Sequence, residues 1–226
     1  MMTLKRLTVL CLVSLTAVSM VMGQNSDKKS NSNLLALIRE QSRSNSRDQK
    51  LAALENIRDA IDGGNRGEEI RSALEYLALD GAPNKASAGV NSDVRVKAAT
   101  CLGDLGTPEA KNTLVKIVMA DSEPVVLTEV VKSLAKLGIN DSEETVNTIV
   151  WIMTRSNDLN PDNDLAFSSV EAIERLAEAN GGIKNPNAVT MLVRITSGPH
   201  SKPVQDRAKE AFANLRKYAA QAAQNR

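Results

Sequence analysis

The chain repeats itself, and a repeat constrains the fold more than any single motif, because each unit must bury its apolar face against the next. Four segments, 94–106, 126–138, 165–177 and 204–216, align without internal gaps at shifts of 32, 39 and 39 residues. Down the columns stand Val94, Val126, Leu165 and Val204, then Ala98, Val130, Ser169 and Ala208, then Cys101, Ser133, Ala172 and Ala211. Leu102, Leu134, Ile173 and Phe212 follow, and Leu105, Leu137, Leu176 and Leu215 close the pattern. Offsets of 0, 4, 7, 8 and 11 trace one face of an α-helix. Small columns among large ones require a neighbour that approaches closely, as helices do in a stack.

Each of these helices follows another amphipathic one. The partners are expected at 68–79 with Ile70, Leu74 and Leu77, and at 108–119 with Leu114, Ile117 and Val118. Two more are expected at 143–153 with Ile149, Ile152 and Met153, and at 186–195 with Val189, Leu192 and Ile195. Pro108, Pro124 and Pro186 mark first helical positions, where the missing N–H is harmless. Asp141 with Glu144 reads as a capping box. Gly81, Gly106, Gly138 and Gly181 can take positive φ where helices end. Only 2% of the residues are aromatic, so the core must be Leu, Ile, Val and Ala, which favours close helices over a sandwich or barrel. An irregular first pair is expected at 34–40 and 47–61, since one face of an end repeat meets solvent. The reading is all-α: a right-handed α-solenoid of about five antiparallel helix pairs.

Residues 92–106 carry the most specific signal, Asp93-x-Arg95 followed by Ala98 and by Leu102-Gly103-x-Leu105-Gly106. This segment resembles the second helix of a HEAT repeat, of the bacterial kind also found in phycobilisome-lyase-like proteins. Residues 126–138 keep Leu134 and Leu137-Gly138 but have Leu127 in place of the arginine, and the later two units keep only the apolar columns. The resemblance spans roughly residues 47–218. It implies that the second helices line a concave face and that the protein works by binding.

The N-terminus reads as an address. Lys5 and Arg6 precede an apolar run of sixteen residues, 7–22, that ends at Gly23 with compact residues at the junction. The run is shorter than the roughly 20 residues a membrane-spanning helix needs, so 1–23 is expected to be a secretory signal peptide and not an anchor. A polar linker, 24–33, then leads into a domain at 34–226. Export places the protein in the periplasm of a Gram-negative-type bacterium, or otherwise outside the cell, with no membrane insertion after cleavage. Without Lys5 and Arg6, 26 basic residues stand against 27 acidic ones, which argues against nucleic acid as partner. Cys101 then remains alone, so no intrachain disulfide can form and the core must suffice.

Candidates for chemistry are few. Cys101 is the one nucleophile available, yet it occupies a column of small helix-contact residues, and His200 follows Gly198-Pro199 in a turn without a catalytic companion. Asp158, Asn160, Asp162 and Asp164 alternate as in the opening of a calcium-binding loop. Asn163 stands where that loop wants glycine and Ser169 where it wants glutamate, so no metal and no cofactor are expected.

Binding residues are sought instead on the second helices, where one exposed column is Asp104, Lys136, Arg175 and Asn214 and another is Thr100, Lys132, Glu171 and Glu210. Glu171 can pair with Arg175, and Glu129 with Lys132, while Lys136 has no acid one turn before it on its own helix. Lys132, Lys136 and Arg175 are therefore the candidate partner-binding cations. Trp151, off the apolar stripe of its helix, is a fourth candidate or else packs against the adjacent pair. Two long connections, 81–92 and 155–164, emerge on one edge and are either a contact surface or neutral drift in length. The expected function is an exported, non-catalytic scaffold or adaptor, monomeric alone, that binds a protein through its concave face, the loop edge or both. A structural subunit of a cell-envelope assembly, or a lyase-like or ligand-carrying protein using Cys101, is the alternative.

Overall fold

The computed structural model describes residues 31–80, 91–155 and 161–224, and among them there are ten α-helices and no strand. In chain order these are α1 (residues 31–42), α2 (Arg47–Asp62), α3 (Glu68–Ala78), α4 (Ser92–Leu105) and α5 (Pro108–Ala120). They continue as α6 (Pro124–Leu137), α7 (Glu144–Arg155), α8 (Asn163–Ala179), α9 (Pro186–Ser197) and α10 (Lys202–Gln224). The even helices α2 to α10 pack side by side in one row, and α3, α5, α7 and α9 form a second row against it. The even row is the more intimately packed of the two, so the stack curves with the even helices inside. This is an all-α solenoid of five helix pairs.

The repeat columns are the core. Val94, Ala98, Cys101, Leu102 and Leu105 are buried on α4, and Val126, Val130, Ser133 and Leu134 on α6. The corresponding positions of α8 and α10 are buried too, except that Phe212 is only partly covered. The small column does what its size demands: a Cβ added to Gly103 would lie 2.9 Å from the Ser133 hydroxyl and 3.2 Å from its Cα, so α4 and α6 touch almost backbone to backbone.

Local chemistry fixes the ends. Thr107 accepts from the Ala110 N–H at 3.2 Å and Asn185 from the Asn187 N–H at 2.9 Å, each just ahead of a proline at the first helical position. Gly106 and Gly138 close α4 and α6 in the left-handed region, at φ 72° and 68°.

Three expectations change. α1 is already helical at residue 31, so the last three residues of the polar linker belong to the domain. Val189 is exposed; the buried stripe of α9 is Ala188, Met191, Leu192 and Ile195, one residue out of phase with the valine. Asp141 does not cap α7. It lies in a 3-10 turn, Asp141–Glu143, where Ser142 and Glu143 have positive φ, and the Asn140 carboxamide accepts from the Val146 N–H instead. Most of the two long connections, at 81–90 and 156–160, lies outside the described residues, as do the signal segment 1–23 and linker residues 24–30. No helix of the described residues is long and apolar enough to cross a membrane.

A line of buried polar links crosses the stack where first helices end and second helices begin. Lys50 of α2 pairs with Asp80 at 2.7 Å, and Asn91 donates to the same carboxylate at 2.7 Å. Arg95 of α4, wholly buried, donates to the Asp80 carbonyl at 3.1 Å and to the Asp121 carboxylate at 2.7 Å. Arg155 at the end of α7 then donates to the Val118 and Asp121 carbonyls at 2.9 and 2.7 Å. The carbonyls of Asp80, Val118 and Asp121, at the ends of first helices, thereby find side-chain donors.

Candidate functional site

The curved inner face is a stripe of the even helices one turn away from the core columns. Its charges are mostly engaged with one another across helices. Lys136 of α6 forms an ion pair with Asp104 of α4, so its acid comes from the neighbouring helix and it is not the isolated cation its own helix suggests. Lys132 lies 3.9 Å from Glu129, as its spacing predicts. Glu171 does not serve Arg175: its carboxylate lies 3.7 Å from Arg207 of α10, and Arg175 is exposed with no ion pair to a described residue. The basic strip of Lys132, Lys136 and Arg175 thus dissolves into two local pairs and one solvated guanidinium.

Nearer the helix N-termini, a groove of about 470 Å³ lies between α6 and α8. Val96 of α4, Val125 of α6 and Phe167 of α8 supply its apolar lining. Val125 is 55% exposed, more than the exposed valines of α9, Val189 and Val193. Four carboxylates, Glu129, Asp162, Asp164 and Glu171, surround these side chains, against the single ammonium of Lys132. Asp162 also caps α8 by accepting from the Leu165 N–H at 2.8 Å, and Glu129 accepts from the Thr100 hydroxyl at 2.8 Å. Asp164 projects from the first turn of α8 into solvent.

Sequence columns at offsets 6 and 10 led to Lys132 and Lys136; the groove is built one turn earlier. Offsets −1, 2, 3 and 6 supply Val125, Thr128, Glu129 and Lys132 on α6, and Asp164, Phe167, Ser168 and Glu171 on α8. Reading those columns as the same stripe continued toward the loop edge is the signal that finds it.

Trp151 lies on the opposite row, 40% exposed, with the Arg155 guanidinium 4.2 Å from its ring centroid. Burial lowers the pKa of Arg155 against the pull of Asp121, and the Trp151 ring lies against the guanidinium. Leu37, Tyr76, Met119, Val189 and Val193 are also exposed on first helices. A second groove, about 570 Å³, runs between α7 and α9, with Val150, Met153, Met191 and Ile195 along it and His200 at its end.

The remaining candidates have structural settings. Cys101 is buried among the α4 core residues, and burial pushes its thiol up to about 11, so the nucleophilic thiolate is absent near neutrality. Asp158 and Asn160 of the calcium-like pattern lie outside the described residues, and Asp162 is engaged as a helix cap. No group of three or more His, Cys, Asp or Glu among the described residues is placed to hold a metal.

Residues 84–160, which contain α4 to α7, match the family model of HEAT repeats. No curated protein matches the chain.

Proposed function

We propose that the protein is an exported, non-catalytic scaffold or adaptor that docks a protein partner on the curved face of the even helices, beside the loop edge. The observation that carries this reading is the groove between α6 and α8, where a half-exposed valine and a phenylalanine lie open on the even-helix side, whereas the other exposed large apolar side chains, Leu37, Tyr76, Met119, Trp151, Val189 and Val193, lie on first helices. HEAT repeats commonly serve as protein-interaction scaffolds, and the match over residues 84–160 includes the α6 side of the groove. Helices pinned by buried links hold such a surface in fixed relation, so docking costs little ordering entropy. Burial of Cys101 with a raised pKa weighs against a carrier or lyase that uses the thiol. Export rests on the charged, then apolar, N-terminal segment, and monomeric behaviour on a core that needs no second chain.

The test is chemical crosslinking in the native host followed by mass spectrometry, with the wild-type chain compared with Val125→Arg. The expected result is one dominant protein partner whose crosslinks map beside Lys132 and are lost in the variant. A dominant partner crosslinked only through first helices would remove the curved face from the proposal. A thiol adduct at Cys101 without any protein partner would replace docking by the carrier reading.

A further inference from the structure

The groove between α6 and α8 has a chemistry of its own, and it is the reverse of the basic strip that the sequence suggests. Four carboxylates line it against one ammonium. Two of the four already have a cation nearby, but loosely: Lys132 is 3.9 Å from Glu129 and Arg207 is 3.7 Å from Glu171, both beyond hydrogen-bond distance. Glu129 also accepts from the Thr100 hydroxyl at 2.8 Å, Asp162 spends one oxygen on its cap, and Asp164 is exposed with no hydrogen bond or ion pair to a described residue. The acids are therefore left with unfilled acceptor capacity on both walls, Glu129 on α6 and Asp164 and Glu171 on α8.

Between the walls lies the apolar part. Val125 loses surface to water only if something covers it, and Phe167 is half-buried with its remaining surface turned to the same groove. Two other aromatic rings, Trp151 and Phe212, carry an arginine over the face, at 4.2 and 4.6 Å. Phe167 has no such partner among the described residues, and it stands among carboxylates that favour a cation there. An acidic occupant would meet like charge on two sides. A purely apolar one would bury carboxylates without partners, which costs more than covering one valine and part of one ring returns.

We propose that this groove takes a cationic segment of a partner protein: one large apolar side chain seated on Val96, Val125 and Phe167, with lysine or arginine on either side meeting Glu129, Asp164 and Glu171. The inference rests on the docking function above and names the chemistry of what docks. The volume, about 470 Å³, suits one such side chain and its flanking backbone rather than a folded domain. The loose internal pairs serve as placeholders. Lys132 and Arg207 release Glu129 and Glu171 at little loss when a closer cation arrives, because both pairs are long and partly solvated and Arg207 keeps its closer partner Glu174.

The test uses three fluorescein-labelled probes and the purified protein: Gly-Lys-Arg-Leu-Arg-Lys-Gly, the same peptide with Gly for Leu, and Gly-Glu-Asp-Leu-Asp-Glu-Gly. Fluorescence anisotropy at about 0.1 M salt, where charges more than ~10 Å apart are largely screened, reads the affinities. The leucine-bearing cationic probe is expected to bind about tenfold or more tightly than either other probe. Glu129→Gln/Glu171→Gln keeps shape and removes two charges; it is expected to lose about tenfold, whereas Glu109→Gln/Asp59→Asn, equal in charge change and outside the groove, loses less than about twofold. Val125→Arg, at an exposed position, fills the groove with a cation and is expected to abolish binding; thermal melts confirm that each variant is folded. Equal loss in groove and control variants, or equal binding of the acidic probe, overturns the proposal. So does a failure of all three probes to bind. If a dominant crosslinked partner persists in that last case, the docking function survives and only its cationic chemistry falls; if none is found, both fall.

Discussion

Two sets of ion pairs tie neighbouring helices of this stack together, one along the buried edge and one on the curved face. Arg95 and Asp121 are 0% and 1% exposed and sit where α4 meets the end of α5. Lys136 and Asp104 join α6 to α4 with side chains 57% and 27% exposed. Both span adjacent units, and in sequence they are the same kind of residue at a similar separation. The buried pair is out of reach of solvent, so removing Asp121 leaves the Arg95 charge buried without its carboxylate; the exposed pair is already half solvated. Position along the helix, near its buried end or out on its open face, therefore decides which charges are architecture and which are exchangeable surface. A partner can compete for the second kind only.

The comparison breaks first at Asp121. Asp121→Ala is expected to destabilise the fold by about 3–5 kcal/mol, read by urea unfolding, because Arg95 loses its carboxylate while buried. If the loss is below about 1 kcal/mol, the edge is no more structural than the face. Lys50→Met comes next, at about 1.5–3 kcal/mol, since Asp80 keeps Asn91 but loses a charged hydrogen bond at 2.7 Å. Lys136→Ala is expected to cost about 1 kcal/mol or less, and to leave the melting curve's slope unchanged.

The smallest effect is a pH dependence. At Asp93, burial raises the carboxyl, but the hydrogen bond and charge of Arg47 outweigh it and hold the group below 3.8; at Glu55, the Lys97 hydrogen bond leads in holding the carboxyl below 4.5. A carboxylate whose pKa is lower folded than unfolded stabilises the native state above its unfolded value. That contribution is lost as pH falls from about 4.5 through the lowered folded values. Arg47→Gln should flatten the Asp93 part of the acid limb in thermal melts between pH 6 and 3, and a limb unchanged by the substitution would place the pair among charges that do nothing measurable.

The fold was legible because it is written in side-chain volume at helical spacing. Val94, Ala98, Cys101, Leu102 and Leu105 are buried as their column implies, and each later unit repeats the placement with minor slips. The slips have local causes. Val189 and Met191 can both start an apolar stripe, and packing of α9 against α7 and α10 selects the phase that buries Met191. Asp141 has the spacing of a capping residue, but two left-handed residues behind it turn the backbone away. Charges were less legible. Helical spacing finds Glu129 beside Lys132, yet Asp104 reaches Lys136 across 32 residues of sequence and Asp121 reaches Arg95 across 26, separations that only the stacking geometry closes. The groove went unseen for a related reason: its lining is drawn from three helices, and no single one of them looks unusual.

The near-contact between Gly103 and Ser133 also limits how such a chain can grow. Solenoids lengthen by duplicating a unit, and the copies are commonly regarded as interchangeable parts. Ala135 of α6 occupies the register of Gly103 on α4. A duplicate of the α5–α6 unit inserted ahead of the original would therefore set an alanine methyl against the Ser133 hydroxyl, where a Cβ comes to 2.9 Å. The new copy would fit only after a second change, alanine to glycine, so this array can be extended at that seam in two steps but not in one.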